Sequence, residues 1–247
     1  MNIKQYLDST YLKTATQAGV SKVENDKIVI EAIQEAIDHD FKLIMIRPEY
    51  VKIAREMITN ANSKVTIGTV IDFPKGQNSL EFKLAEASKA IKDNVDDLDF
   101  VLDYEAFKRG EIDEVKNQVL TCTKLGLEHH KIVKWIIEVA ALNNDQIMQL
   151  SALVKNIVVA NFKENEYEHV YVKSSTGFYP TGNGLPNGAT VPTIKLMLEN
   201  ACPLPVKAAG GVRTYEEAVE MIKLGVKRIG TSSAKAIANG EVSESDY

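Results

Sequence analysis

Three lysines lie in short β-like runs of the second half of the chain. Lys134 lies within KIVKWIIE, Lys173 ends HVYVK, and Lys207 lies near the end of LPVKA. Successive side chains of a strand point to opposite faces, which places each lysine opposite to an apolar neighbour. For any one of them, a surface lysine in a strand of different register is the ordinary alternative. Because lysine is almost never buried without a partner or a purpose, several converging lysines indicate a chemical site.

Carboxylates accompany these lysines on the inner faces of two runs. In DLDFVL, side chains alternate between two faces, and Asp97 and Asp99 lie on the face opposite to the apolar one. In KIVKWIIE, Glu138 shares the face of Lys134. The outward faces of the two runs, which suit contact with helices, then carry Leu98, Phe100, Leu102, Val133, Trp135 and Ile137.

This set of residue types suits a Schiff-base enzyme. The attacking amine must be neutral near pH 7, although the pKa of a free lysine is near ~10.4. Burial and a neighbouring positive charge both lower the pKa of a lysine, so a second lysine can activate the first. A nearby carboxylate can pass protons between substrate and water.

Alternation of strand and helix patterns along the chain predicts the fold that must position these groups. Helical segments such as EAIQEAI, EYVKIAREMI and EFKLAEASKAI separate eight short β-like runs. Eight such units in about 250 residues predict a TIM (β/α)8 barrel, as one domain over 1–240 with a polar tail at 241–247. A doubly wound sheet is the alternative, but the GxGxxG turn typical of it is absent. The predicted strands are 6–8, 42–47, 64–71, 97–102, 131–138, 169–173, 204–208 and 227–230.

Small residues follow the last three predicted strands. In TIM barrels the loops after strands seven and eight commonly bind phosphate, and glycine allows close approach of the main chain. Plain turns and helix caps are the alternative for such pairs. The candidate phosphate ligands are Gly177, Gly210, Gly211, Gly230, Ser232 and Ser233.

Composition limits the partners of the protein. The formal net charge is −5, which gives no general attraction to nucleic acid or to anionic membranes. Two cysteines are too few for a disulfide framework, and no apolar run is long enough for a membrane span, so we expect a cytoplasmic protein. All four histidines precede predicted strands, away from the expected site, and we therefore expect no metal. They are His39, His129, His130 and His169.

Several collinear motifs are similar to those of the deoxyribose-phosphate aldolases. YVKSSTGF resembles the stretch around the Schiff-base lysine of that family, and VKAAGGVRTYEEA resembles its second lysine motif. LDSTYL, TVIDFP, DLDFVLDY, KWIIEVAAL and RIGTSS match the intervening strands in order, so the resemblance covers nearly the whole chain.

The resemblance implies a role for each of the main candidates. Lys173 corresponds to the Schiff-base lysine, Lys207 to the lysine that lowers its pKa, and Asp99 to the carboxylate of the proton relay. Thr10 and Thr176 correspond to positions near the sugar hydroxyls. The implied substrate is a small phosphosugar, 2-deoxyribose 5-phosphate, with no cofactor and with a homodimer as the family expectation.

The C-terminal residue corresponds to a further family feature. Some members end in a tyrosine on a flexible tail, and Tyr247 corresponds to it as a proton relay at the enamine carbon. A solvated tail without such a role is the alternative.

Ser174 replaces the family's threonine but keeps its hydroxyl, and three further positions depart from the family pattern. Asp72 replaces a glycine, Asp103 replaces asparagine or proline, and Met45 replaces a cysteine of many members. The two aspartates are expected to add negative charge near the mouth of the barrel. The alternatives that stay open are a Schiff-base aldolase for another short phosphosugar and a barrel that only binds a phosphorylated metabolite.

Overall fold

Eight parallel strands close into a barrel, in chain order, in the computed structural model, which describes residues 1–182 and 185–241. Each predicted run overlaps one strand, which confirms the TIM barrel. No bound differs by more than two residues: at the carboxyl end, β1 extends two residues further than predicted and β5 ends two residues earlier. The strands are β1 Leu7–Thr10, β2 Leu43–Ile46, β3 Thr66–Ile71, β4 Asp97–Val101, β5 Ile132–Ile136, β6 Val170–Lys173, β7 Val206–Ala209 and β8 Arg228–Thr231.

Helices cover the outside of this barrel. Several begin at a capping side chain, such as Ser79, Asn143 and Thr214, whose oxygen accepts a backbone N–H of the first turn. No helix in the described ranges is both long enough and apolar enough to cross a lipid bilayer. The α-helices are α1 Ala15–Ala18, α2 Lys22–Asp38, α3 Val51–Asn60, α4 Leu80–Lys92, α5 Tyr104–Lys108, α6 Ile112–Glu128, α7 Asn144–Asn161, α8 Val191–Ala201, α9 Tyr215–Leu224 and α10 Ala234–Asn239.

The main core lies between the barrel and the helices. Trp135 of β5 stacks on Phe100 of β4 with ring centroids 5.1 Å apart, and its indole N–H donates to Thr123 of α6 at 2.9 Å. A Cβ on Gly126 of α6 would lie 2.3 Å from Val133, so the helix needs glycine to approach the strand this closely. These contacts confirm the outward faces predicted for β4 and β5.

The barrel interior divides into an apolar part and a charged part. Leu43, Met45 and Val70 form a small apolar cluster on β2 and β3, joined by Leu12. The buried charged side chains that the strands carry lie instead on β1 and on β4 to β8. Because a TIM barrel places its active site at the carboxyl ends of the strands, the charged part determines where chemistry can occur.

Candidate active site

The structure brings Lys173, Lys207 and Asp99 together inside the barrel. Lys173 and Lys207 are register neighbours on β6 and β7, so their side chains leave the sheet side by side. Asp99 Oδ2 lies 2.9 Å from Lys173 Nζ and 3.0 Å from Lys207 Nζ. Lys173 is 3% exposed whereas Lys207 is completely buried, so Lys173 is the member of this pair that a substrate can reach.

Four further charged side chains surround this trio. Lys134 donates to Asp97 at 2.6 Å and to Asp99 Oδ1 at 2.8 Å. Asp8 Oδ2 lies 2.6 Å from Lys207 Nζ, and Asp8 Oδ1 accepts from Arg228 at 2.7 Å. Together the seven form what we call the barrel charge cluster, which consists of Asp8, Asp97, Asp99, Lys134, Lys173, Lys207 and Arg228.

Sequence reasoning placed most of this cluster inside the barrel but did not identify Arg228. The signal was present in RIGTSS, because the period of two puts Arg228 on the same face as Gly230. Gly230 in turn lies against Lys207: a Cβ added to Gly230 would be 3.1 Å from Cε of Lys207. The absence of a side chain at residue 230 therefore leaves space for Lys207.

Electrostatics separates the roles of Asp99 and Lys173. Burial alone would raise the pKa of Asp99, but attraction to Lys134, Lys173 and Lys207 holds it well below its ordinary value. Burial, the largest cause, lowers the pKa of Lys173 to about 8. Repulsion from Lys207 acts in the same direction, whereas attraction to Asp99 opposes the shift. Relative to a free lysine, that shift raises the neutral fraction at pH 7 roughly 300-fold. Lys173 is thus a competent nucleophile near neutral pH.

Glu138 anchors the loop that follows Lys173. Its carboxylate accepts the Ser175 hydroxyl at 2.6 Å and the Thr176 backbone N–H at 3.2 Å, and it also accepts the Thr176 hydroxyl. Burial raises the pKa of Glu138 although these hydrogen bonds oppose the shift. The hydroxyl of Thr176, a candidate sugar contact, is therefore held by Glu138.

Five of the six candidate phosphate ligands line one cleft of about 20 Å³. At Gly210 the backbone has φ 81°, a left-handed conformation that favours glycine. The loop residue Gly188 packs against this turn, where a Cβ would lie 2.5 Å from the Gly210 backbone. The five are Gly177, Gly210, Gly211, Gly230 and Ser232, and sequence reasoning missed the other lining residues Asn187, Val212, Arg213 and Thr231.

Of the three other candidates, two lie outside the lining of this cleft and one lies outside the described residues. Ser233 is buried and its backbone N–H donates to Thr231 Oγ1 at 3.0 Å. Thr10 ends β1, and its hydroxyl donates to the Asp8 carbonyl at 2.9 Å. Tyr247 lies outside the described residues.

The three departures from the family pattern are all buried. Asp72 forms an ion pair with the buried Lys83 of α4, and Asp103 caps α5 by accepting the Ala106 N–H at 2.8 Å. The charge of Asp72 is thus paired, contrary to the expectation from sequence, whereas the carboxylate of Asp103 lies at the N-terminus of α5. Met45 packs in the apolar part of the interior, where its Cε takes the space beside Gly68.

A cavity of about 1110 Å³ opens at the opposite end of the barrel from Lys173. Its lining includes His130, His169, Tyr171 and the inner residues Asp97 and Arg228. Within residues 1–182 and 185–241, no three His, Cys, Asp or Glu side chains are grouped so as to hold a metal ion. The inner carboxylates pair with lysine and arginine instead.

Comparison with known proteins finds relatives of one family over nearly the whole chain. The family model described as DeoC/LacD family aldolase matches residues 6–242. A relative from Thermococcus kodakarensis named deoxyribose-phosphate aldolase is 36% identical over 98% of both chains. A relative of the same name from Streptococcus gordonii is 36% identical over 100% of both. The solved tetrameric deoxyribose phosphate aldolase of Aeropyrum pernix is 26% identical, with a TM-score of 0.76 over 96% of this chain and 89% of that one.

Proposed function

The chain belongs to the DeoC/LacD family of aldolases, and from that premise we propose that it reversibly cleaves 2-deoxyribose 5-phosphate to glyceraldehyde 3-phosphate and acetaldehyde. The observation that carries the proposal is the pairing of Lys173 with a buried second lysine and one shared carboxylate. A barrel that only binds a metabolite has no need of a buried amine with a lowered pKa.

The proposed reaction begins with attack of neutral Lys173 on the C1 aldehyde of the open-chain sugar. Loss of water gives an iminium at C1, which accepts the electron pair of the C2–C3 bond when that bond breaks. Removal of the C3 hydroxyl proton releases glyceraldehyde 3-phosphate and leaves an enamine on Lys173. Protonation of the enamine carbon and hydrolysis then release acetaldehyde and restore the lysine.

Lys207 and Asp99 have different parts in this scheme. Lys207 keeps a positive charge near Lys173 and so favours its neutral form. Asp99 is an anion at neutral pH because three lysines stabilise its charge, and it suits holding a water or accepting a proton. The proposed scheme needs no cofactor, since the lysine itself forms the covalent intermediate.

The surroundings of the cluster suit the two ends of this substrate. Phe73 packs edge-on against Phe178 at 5.1 Å, and both pack against the apolar part of the interior, which suits the methyl group of acetaldehyde. The lining of the glycine-rich cleft includes Ser232 and Arg213, and a hydroxyl, a positive charge and glycine main-chain N–H groups are the kinds of donor that suit a phosphate. These local donors offset the repulsion expected from a net charge of −5.

We expect acetaldehyde with borohydride to add a single reduced ethyl group to the protein, on Lys173. Borohydride reduces the iminium to a stable secondary amine, so peptide mass spectrometry identifies the residue that formed it. The same protein should cleave 2-deoxyribose 5-phosphate in a coupled assay for glyceraldehyde 3-phosphate. An ethyl group on another lysine contradicts the mechanism, and trapping without cleavage of this sugar assigns the site to another short phosphosugar.

For the last residue we propose that Tyr247 helps to protonate the enamine carbon. The support is the resemblance to family members that end in a tyrosine, together with a tail long enough to fold back toward the mouth. Tyr247→Phe should then slow the exchange of acetaldehyde α-protons, measured by NMR in D2O, while borohydride trapping on Lys173 keeps its rate. Exchange at the wild-type rate removes Tyr247 from the mechanism.

Assembly and location stay predictions. We propose a homodimer, which light scattering on the purified protein would establish, and a cytoplasmic location. The tetramer described for the Aeropyrum pernix enzyme makes a larger assembly the specific alternative outcome of that measurement.

A further inference from the structure

Six members of the barrel charge cluster form a closed ring in which the charges alternate. From Asp99 the ring runs to Lys207 at 3.0 Å, to Asp8 at 2.6 Å and to Arg228 at 2.6 Å. It continues from Arg228 to Asp97 at 3.3 Å, to Lys134 at 2.6 Å and back to Asp99 at 2.8 Å. Every carboxylate thus lies between two cations, and every cation lies between two carboxylates.

Lys173 is attached to this ring without being part of it. Its amine contacts Asp99, at the atom that also contacts Lys207. The ring holds three carboxylates and three cations, so it is neutral as a unit when all six groups are charged. A protonated Lys173 is therefore an unbalanced charge in a buried site, and the neutral amine leaves the cluster balanced.

Two ring members lie at the end of the barrel opposite to the amine of Lys173. Asp97 is the first residue of β4 and Arg228 is the first residue of β8, whereas Lys173 is the last residue of β6. Both line the cavity at the amino ends of the strands. Neither forms an ion pair with Lys173, so they act on it through the net charge of the ring and through the four ring members that they help to hold, Lys134, Asp99, Asp8 and Lys207.

We propose that Asp97 and Arg228 are positioning residues which, by keeping the ring neutral and closed, set the proton affinity of Lys173 from the far end of the barrel. Arg228 fixes Asp8, which holds Lys207 beside Lys173, and Asp97 fixes Lys134, which holds Asp99. This inference rests on the proposed function, since it concerns the lysine that forms the Schiff base.

The pH dependence of Lys173 and Arg228 is determined by all the charged groups that face them. Around Lys173 these groups are Asp99 of β4, Lys134 of β5, Glu138 after β5 and Lys207 of β7. Around Arg228 they are Asp8, Asp97, Lys134 and Tyr171. Tyr171 is a neutral neighbour here, because burial raises the pKa of its phenol. The net charge of the ring is therefore the variable that a substitution at its far end changes.

Removing one charge of each sign should shift the pKa of Lys173 in opposite directions. Asp97→Asn leaves the ring with one excess positive charge, which disfavours the ammonium form and moves the pKa down. Arg228→Met leaves one excess negative charge and moves the pKa up. We expect each shift to be at least roughly half a pH unit, since buried charges at this range are weakly screened. The double variant restores neutrality and should return close to the wild-type value.

Two matched controls separate charge from general damage. Arg228→Lys keeps the positive charge and should keep the wild-type pKa. Arg55→Met removes a cation from a partly exposed pair with Asp96, outside the ring, and should leave the pKa of Lys173 unchanged. If Arg228→Met does not fold, the nearly isosteric Asp97→Asn and the double variant still provide one shift and its reversal.

The measurement is the pH dependence of trace labelling of Lys173 by acetic anhydride, followed by mass spectrometry, on the unliganded protein. It needs no turnover, so the result stands even where the proposed substrate is wrong. The rate of borohydride trapping with acetaldehyde, measured in parallel, should show the same shifts. Opposite shifts that cancel in the double variant support the proposal. Shifts of the same sign in both single variants, or no shift in either, overturn it, whereas absence of trapping in the wild type contradicts the proposed function.

Discussion

Lys173→Met is expected to lose at least about 10⁴-fold in kcat/KM for 2-deoxyribose 5-phosphate while becoming no less stable than the wild type. The loss of activity follows because Lys173 is the lysine of the barrel charge cluster whose pKa is lowered to about 8 and whose amine a substrate can reach. Burial lowers the pKa of Lys134, but attraction to carboxylates, chiefly Asp97 and Asp99, outweighs it and raises the pKa above the ordinary value. Lys134 therefore stays protonated. The fully buried Lys207 is held between Asp8 and Asp99.

The stability of this variant follows from the sign of the pKa shift. In the unfolded chain Lys173 keeps its proton up to the ordinary value of 10.5, but in the folded protein it loses the proton near 8. The charged form is therefore disfavoured in the folded state, at a cost of up to about 3 kcal/mol. This penalty is complete below pH 8 and disappears as the pH rises toward 10.5. Methionine removes it and occupies a similar volume.

Denaturant unfolding at pH 7 and at pH 10 tests both parts of this expectation. The free energy of unfolding of Lys173→Met should exceed that of the wild type at pH 7, and the difference should shrink by pH 10. Lys134→Met is the matched control, because it removes a cation of the ring and leaves buried carboxylates short of a partner. If Lys173→Met instead loses as much stability as Lys134→Met, then Lys173 is a structural member of the cluster and the neutral-ring account is wrong.

The sequence predicted the inner face of the barrel better than the contacts across it. Asp99 and Lys173 were recognised because a period of two and a strand end are local properties of DLDFVL and HVYVK. The contact between Arg228 and Asp97 joins β8 to β4, across the barrel, and depends on the tilt and stagger of all the strands between them. No local pattern contains that information, so the closure of the ring was not predicted.

Loop contacts were missed for a related reason. Glu138 lies two residues beyond the end of β5, in a left-handed conformation with φ 57°, and holds Thr176 of the next loop. Asp72, with φ 56°, similarly turns back to Lys83 eleven residues later. The alternation of a strand, extended past the end of the strand, does not predict where the side chain of Glu138 or of Asp72 points. For this reason the expectation that Asp72 adds free charge was wrong.

Lys207→Met should move the pH–rate profile of the aldolase to the alkaline side and also destabilise the fold. Repulsion from Lys207 is one of the causes that lower the pKa of Lys173, whereas Asp99 raises it. Without Lys207, the repulsion that lowers the pKa of Lys173 is lost and the attraction to Asp99 remains. The pKa of Lys173 therefore rises above about 8, and its neutral fraction at pH 7 falls. Activity at pH 7 should therefore fall more than activity at pH 9.

The loss of stability has a separate cause in the same contacts. Lys207 lies 2.6 Å from Asp8 and 3.0 Å from Asp99, and all three side chains are fully buried. Removing it leaves two buried carboxylates each short of one partner, which should lower the free energy of unfolding by about 3–5 kcal/mol. Lys207→Arg keeps the charge, although the planar guanidinium meets Gly230 at close range and is expected to recover stability only in part.

Kinetics across pH 6–10 and denaturant unfolding on Lys207→Met separate the two effects. Trapping on Lys173 should persist at pH 9 with a reduced rate at pH 7, which shows that the Schiff base still forms without Lys207. A profile that keeps its wild-type midpoint, with a measurable residual rate, removes Lys207 from the activation of Lys173. In that case burial alone accounts for the lowered pKa, since desolvation is its largest cause, and Lys207 serves the ring rather than the nucleophile.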